Sequence, residues 1–266
     1  MISKPLLKRN LTGAFKLSLI FIGILFMYTA IIIYMYSPDF AKMLSGFQEM
    51  MPEFMGMFGM SGGYTNLTEF MHTFLYGFIM MLFPIIFIIV IINKLLVKYV
   101  DDGSLACLLA TPNSRTRIIF TQIISTLISI AFVIIVTTLI GITCSQLMFP
   151  GELDVSKYLQ LNLSILLLHF ALAGIAFVAA CIFNDSKNYF FYGAGIPLIF
   201  YMIQMISNMG GKMENLKYAT IFTLFPGASI INGEGGVLSS NLILAGITLL
   251  CFSFGGYYFT KKDLSL

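Results

Sequence analysis

The sequence has few charged residues and no tryptophan. Only 10% of its 266 residues are charged, whereas 58% are hydrophobic, and the mean hydropathy is +0.92. A soluble domain of this length cannot bury so much apolar surface, so the composition indicates a membrane protein. The formal net charge is only +3, and no basic surface for nucleic acid is expected.

Charged residues are missing from six long stretches, and each stretch suffices for a helix that crosses about 30 Å of hydrocarbon. The runs are continuous rather than alternating, and lipid offers no partner to an open backbone, so helices are expected. We predict an all-α membrane protein in which residues 1–266 form one transmembrane domain. The predicted spans are residues 17–38, 73–93, 118–148, 158–183, 188–209 and 238–260.

The basic residues are distributed unevenly between the connections. With six spans both chain ends share one side, and eleven basic residues fall there: Lys4, Lys8, Arg9, Lys16, Lys94, Lys98, Arg115, Arg117, Lys187, Lys261 and Lys262. The other side has only Lys42, Lys157, Lys212 and Lys217. By the positive-inside rule, both termini are predicted to be cytoplasmic in a multi-pass protein of the cell membrane.

The chain lacks the residue patterns of catalytic or metal sites. Its four cysteines have no ligand spacing, so no zinc site is expected. The spans hold no Asp, Glu, Lys or Arg and only one histidine, His169, which favours helix packing over ion-coupled transport. The G-x-S-x-G match at residues 59–63 is expected to be chance. Methionines at residues 50–60 could bind Cu(I), but a pliable apolar surface is the favoured interpretation.

No ATP-binding motif is present. The pattern G-x-x-x-x-G-K-[ST] needs a lysine followed by Ser or Thr, and no lysine of the chain has that neighbour. We therefore predict that the chain is not an ATPase and binds no cofactor. If ATP drives its function, a separate subunit carries the ATP and Mg.

The largest cytoplasmic connection between predicted spans is residues 100–117, VDDGSLACLLATPNSRTR. Asp102 or Ser104 can cap a short helix that ends at Pro112. One face of this helix carries three leucines, Leu105, Leu108 and Leu109. Periodicity alone leaves open whether that face rests on the membrane or docks on a partner.

Two further segments have more than one interpretation. Residues 1–16 mix leucines with basic residues, which is typical either of an interfacial helix or of a basic tail that sets topology. Residues 218–233 are free of charge but short, and Pro226-Gly227 interrupts them. A re-entrant or surface hairpin before the last span is therefore predicted.

Several motifs resemble those of bacterial ABC-2-type permeases. The order Asp102-Gly103-Ser104-Leu105, Leu108-Leu109, Pro112, Ser114-Arg115 is similar to the loop after the second span of that family. The segment LKYATIFTLFPGASIING and the ending YYFTKKDLSL, with Asp263-Leu264, are similar as well. Ala106 and Cys107 depart from the pattern, because relatives often carry Glu and a bulkier residue there.

The resemblance implies half of a transporter. Its partners would be a second permease, identical or not, and two ATP-binding cassette subunits, in the membrane of a bacterial cell. It implies an interfacial helix before the first span, a coupling helix at residues 103–110 whose leucines enter a groove on the ATPase, and the hairpin. The implied ATPase-coupling residues are Asp102, Gly103, Ser104, Leu105, Leu108, Leu109, Pro112 and Arg115.

The resemblance also implies a substrate path between the two permeases, along spans one, two and five. Candidates on this path are Phe21, Phe26, Phe74, Phe78, Phe190, Phe200, Met202 and Met205, although each could instead pack or face lipid. An uncharged wall suits a hydrophobic or amphipathic cargo, with a peptide favoured over a drug or lipid. The sequence thus predicts an export permease; the alternative is a non-transporting immunity or signalling partner.

Overall fold

The computed structural model describes residues 2–60, 64–111 and 113–262. Pro112, the G-x-S-x-G serine Ser61, and Asp263 and Leu264 lie outside these ranges. Within them the chain forms ten α-helices and no strand. In chain order they are α1 (Lys4–Tyr34), α2 (Pro38–Met50), α3 (Pro52–Met57), α4 (Leu67–Asp101), α5 (Ser104–Leu109), α6 (Arg115–Met148), α7 (Val155–Ile182), α8 (Ser186–Asn208), α9 (Gly227–Asn232) and α10 (Val237–Lys261).

Six of these helices, α1, α4, α6, α7, α8 and α10, are long and apolar enough to cross a membrane. The predicted fold class, an all-α membrane protein with six spans, is confirmed. Since the number of spans is even, α1 begins and α10 ends on the same side, which we call the terminal side. Helix α5 lies there too, whereas α2, α3 and α9 lie on the opposite side.

The N-terminal segment does not form a separate interfacial helix. Residues 4–16 are the first turns of the 31-residue helix α1, with Pro5 in its first turn. The segment continues the axis of α1 because it packs on α6. There the buried Asn10 amide donates to Gln122 Oε1 (2.6 Å) and Ser125 Oγ (3.1 Å). The interfacial-helix prediction is therefore wrong for this end of the chain.

Helix α7 lies at the centre of the bundle and packs along α10 and α4. His169 is fully buried on α7, and its ring nitrogens lie 2.7 Å from the Ile165 carbonyl oxygen and 3.4 Å from that of Met81 on α4. This agrees with the packing role expected for the histidine. Against α10, Gly174 comes so close that a Cβ would stand 2.8 Å from Cys251 Cβ. Small residues allow such approaches between membrane helices.

Replacement of Gly174 by isoleucine is expected to destabilise the bundle, because the new side chain must push α10 away. Overpacking of this kind costs about 1–3 kcal/mol. The control is Gly246→Ile on α10, where no atom lies within 4 Å of the added Cβ. Thermal unfolding in detergent, followed with a thiol-reactive dye that reports exposure of the buried Cys181, should show a lower midpoint for Gly174→Ile only. Equal midpoints would contradict the packing.

Candidate functional site

The short helix α5 has a well-defined start. Gly103 has φ +70°, a left-handed conformation that glycine adopts without strain. The Ser104 hydroxyl and backbone N–H both donate to Asp102 Oδ1, at 2.6 and 3.0 Å. These bonds, the hydroxyl bond first, hold the pKa of the Asp102 carboxyl below its usual value. Helix α5 therefore begins at an ionised, exposed carboxylate.

The two faces of α5 differ in what they contact. Leu105 is only 1% exposed, and Leu108 and Leu109 are half-buried against the same core. The leucines thus hold α5 to the chain itself, and the hypothesis that Leu105 enters a groove on an ATPase is wrong. The free face consists of small residues, which are Gly103, Ala106, Cys107 and Ala110.

Hydrogen bonds connect the spanning helices on the terminal side. The Ser186 hydroxyl, at the start of α8, donates to the Asp101 carboxylate at the end of α4 (2.6 Å). Lys262 Nζ donates to the Ile182 carbonyl at the end of α7 (2.6 Å). Arg115 Nη1, in the first turn of α6, donates to the Lys262 carbonyl (2.8 Å). Arg115 therefore ties α6 to the end of α10, and the bonds form two groups on the terminal side, one between α4 and α8 and one between α6, α7 and α10.

The eight predicted substrate-path residues divide into two groups. Five pack within the chain: Phe21 and Phe74 are buried, and Phe78, Phe200 and Met205 are half-buried. Phe21, for example, contacts the ring of Phe87 with centroids 5.3 Å apart. The other three are exposed on α1 and α8: Phe26 (49%), Phe190 (44%) and Met202 (60%). These three expose the largest share of their side chains to cargo, lipid or another subunit.

A cavity of about 200 Å³ with both polar and apolar walls lies on the opposite side, between α4, α8 and α9. Among the residues that line it are His72, Tyr76, Tyr201, Gln204 and Asn208. The wall on α4 is π-helical from His72 to Ile79, a departure from the α-helix that is frequent at functional sites. Sequence reasoning missed this cavity, although the i, i+4 pair Gln204 and Asn208, joined by a 2.8 Å hydrogen bond, was a signal.

The segment before α10 borders this cavity. Pro226 separates a short 3₁₀ helix, Ile221–Leu224, from α9, which begins at Gly227. A Cβ at Gly227 would collide with the His72 imidazole, so any side chain at this position has to displace that ring from between α9 and α4. The chain turns where the hairpin was predicted; that the turn enters the membrane stays a prediction.

Six spanning helices, with the short helix α5 on the terminal side between the second and the third, define a multi-pass membrane subunit. The model of the ABC-2 family transporter proteins matches residues 15–264. The chain therefore belongs to the ABC-2 transporter family and is the permease, not the ATPase, of an ABC transporter, a class in which the permease works with an ATP-binding subunit. No curated protein and no solved structure matches it.

Proposed function

We propose that the chain is the membrane half of an ATP-driven exporter in the bacterial cell membrane. It pairs with a second permease, a copy or a sibling, and with two ATP-binding cassette subunits that hold the ATP and Mg. Helix α5 faces the cytoplasm and transmits the movement of the ATPase. The cargo is hydrophobic or amphipathic, with a peptide favoured.

The observation that carries this proposal is the division of α5 into an anchored and a free face. The leucine face fixes the helix to the permease, while Ala106, Cys107 and Ala110 are exposed. Small side chains allow a partner to approach the backbone closely, and the capping carboxylate of Asp102 offers a charge for a basic residue of that partner. A force on this face passes to the end of α4, because α5 follows it after two residues.

The cargo class is supported by the exposed part of the predicted path. Phe26 on α1 and Phe190 and Met202 on α8 present large uncharged side chains at the surface of the bundle. Such surfaces offer apolar contact and, through methionine, adapt to varied shapes. A peptide with apolar side chains fits them better than a sugar or an ion would.

The proposed orientation predicts which cysteines are accessible from outside the cell. Cys107, on the free face of α5, should react with a membrane-impermeant maleimide only after permeabilisation. A cysteine introduced at Asn215, which is exposed on the opposite side, should react in intact cells. Cys107 is probed in a chain whose other three cysteines are replaced by alanine. The cysteine at position 215 is probed in a chain whose four native cysteines are replaced by alanine. The reverse pattern would place the termini outside and contradict the orientation.

Association with an ATPase tests the function. The tagged chain, purified from its native membrane, should bring down an ATP-binding subunit, and adding the permease should raise the turnover of that subunit. An immunity or signalling protein that uses the spans only for binding would recover no ATPase. Recovery without an increase in turnover would also contradict a transport role.

A further inference from the structure

A cationic pocket of about 440 Å³ opens on the terminal side between α1 and the end of α4. Helix α1 contributes Arg9, Asn10 and Gly13; α4 contributes Lys94, Leu95, Lys98 and Tyr99; and the connection to α5 contributes Asp102 and Ser104. Three cations from two helices thus converge on one concavity, together with a single acid.

The basic side chains of the pocket retain free donors. Lys94 Nζ uses one N–H for the Gly13 carbonyl (2.7 Å), and the Arg9 guanidinium carbon lies 5.8 Å from the centre of the Tyr99 ring. In the described part of the chain, no carboxylate lies within 4.0 Å of Arg9, Lys94 or Lys98. Setting a chain's topology requires only the number of cations on one side, not their convergence on a pocket. Their convergence favours a bound anion.

The pocket wall also holds an unpaired acceptor. Asn10 is 3% exposed, and its Nδ2 is occupied by the bonds to α6, but its Oδ1 has no hydrogen-bond partner among the described residues. A buried oxygen of this kind is normally satisfied by a donor. The pocket therefore suits a ligand that has an anionic group beside a hydroxyl or an ammonium.

We propose that this pocket binds the headgroup of an anionic phospholipid. The phosphate contacts Arg9, Lys94 and Lys98, and a headgroup hydroxyl donates to Asn10 Oδ1 or to the Asp102 carboxylate. The pocket lies at the end of two spanning helices, where headgroups are found. Two turns beyond Gly13, the exposed Ile20 (62%) lies on the same face of α1 as Arg9 and Gly13 and offers apolar surface for an acyl chain.

With the orientation proposed above, the pocket lies at the inner leaflet; the binding itself does not depend on that orientation. Because Asp102 and Ser104 both line the pocket and begin α5, a bound headgroup holds the start of that helix at the membrane surface. The lipid would then set the position of the face on which the ATPase docks.

Lipid retention tests the proposal. The purified chain is placed in nanodiscs of phosphatidylglycerol and phosphatidylcholine, and native mass spectrometry counts the lipids that stay bound. The informative variants are Lys98→Gln, since the Lys98 side chain makes no hydrogen bond or ion pair in the described chain, and Arg9→Gln/Lys98→Gln. The double variant should lose about tenfold in phosphatidylglycerol retention, and Lys98→Arg should restore it relative to Lys98→Gln.

Matched controls remove a charge from the same helix outside the pocket. Lys8→Gln and Lys16→Gln change exposed lysines of α1 and should retain the lipid as the wild type does. High salt should weaken retention. The proposal is overturned if the double variant, with an unchanged thermal midpoint, retains as much phosphatidylglycerol as these controls, or if the wild type retains phosphatidylcholine equally. Displacement of the lipid by inorganic phosphate alone would also overturn it, because the ligand would then be a soluble phosphate.

Discussion

Replacement of Ala106 by arginine is expected to prevent recovery of the ATP-binding subunit with the permease. Ala106 lies at the centre of the exposed face of α5, so a partner that docks there must cover it. A long charged side chain would separate the two surfaces, and its charge would have to be desolvated at their interface. An energetic penalty of about 1.4 kcal/mol already lowers affinity tenfold, and a buried unpaired charge exceeds that. Co-purification at equal membrane expression measures the effect.

Two further variants separate docking from folding. Thr12→Arg adds the same charge to an exposed position of α1 on the terminal side and should leave recovery unchanged. Leu105→Asp should lower the thermal midpoint of the permease itself, because it buries a carboxylate without a partner. Normal recovery of the ATPase with Ala106→Arg would exclude the exposed face of α5 as the docking surface.

Gly227→Val is expected to abolish transport while the ATPase still binds. The new side chain would collide with the His72 imidazole, and its Cβ would stand 2.6 Å from the Phe225 ring. That ring stacks on Tyr76 of α4 with centroids 6.2 Å apart, so the collision displaces the aromatic contact by which the hairpin packs on α4. Overpacking costs about 1–3 kcal/mol, which shifts the hairpin's equilibrium position by roughly fivefold to more than a hundredfold. ATP-dependent cargo movement and ATPase co-purification are measured on the same preparation.

The control for this variant lies in the same connection. Gly235→Val adds the same side chain where no atom lies within 4 Å of the Cβ, so transport should be retained. If Gly227→Val transports as well as Gly235→Val, the segment is a surface loop without a role in export. If Gly227→Val also loses the ATPase, the damage reaches the terminal side, and the hairpin has no separate function.

The spans were predictable because the constraint on them is local. A charge-free run of about 20 residues has a single stable conformation in lipid, the helix. The continuation of α1 through residues 4–16 was not predictable from the sequence. It depends on the hydrogen bond from Asn10 to Gln122, which lies 112 residues farther along the chain. Composition shows that such a segment is amphipathic but not which helix it meets.

The position of α5 was predictable from the sequence, but its orientation was not. Its capping carboxylate and leucine spacing define where it lies and which residues share a face, but not whether that face meets the chain or a partner. The structure decides this through the burial of Leu105. The cavity on the opposite side was missed because its polar residues are neutral and its walls come from segments distant in sequence, such as α4 with His72 and α8 with Gln204.

The most direct test of an ATP-driven export permease uses inside-out membrane vesicles that contain the chain and its ATPase. Fluorescent hydrophobic peptides should accumulate in these vesicles with ATP and not with a non-hydrolysable analogue, and Ala106→Arg should remove the accumulation. Equal accumulation in vesicles that lack the chain, or unchanged accumulation with Ala106→Arg, would contradict a permease that is driven through α5.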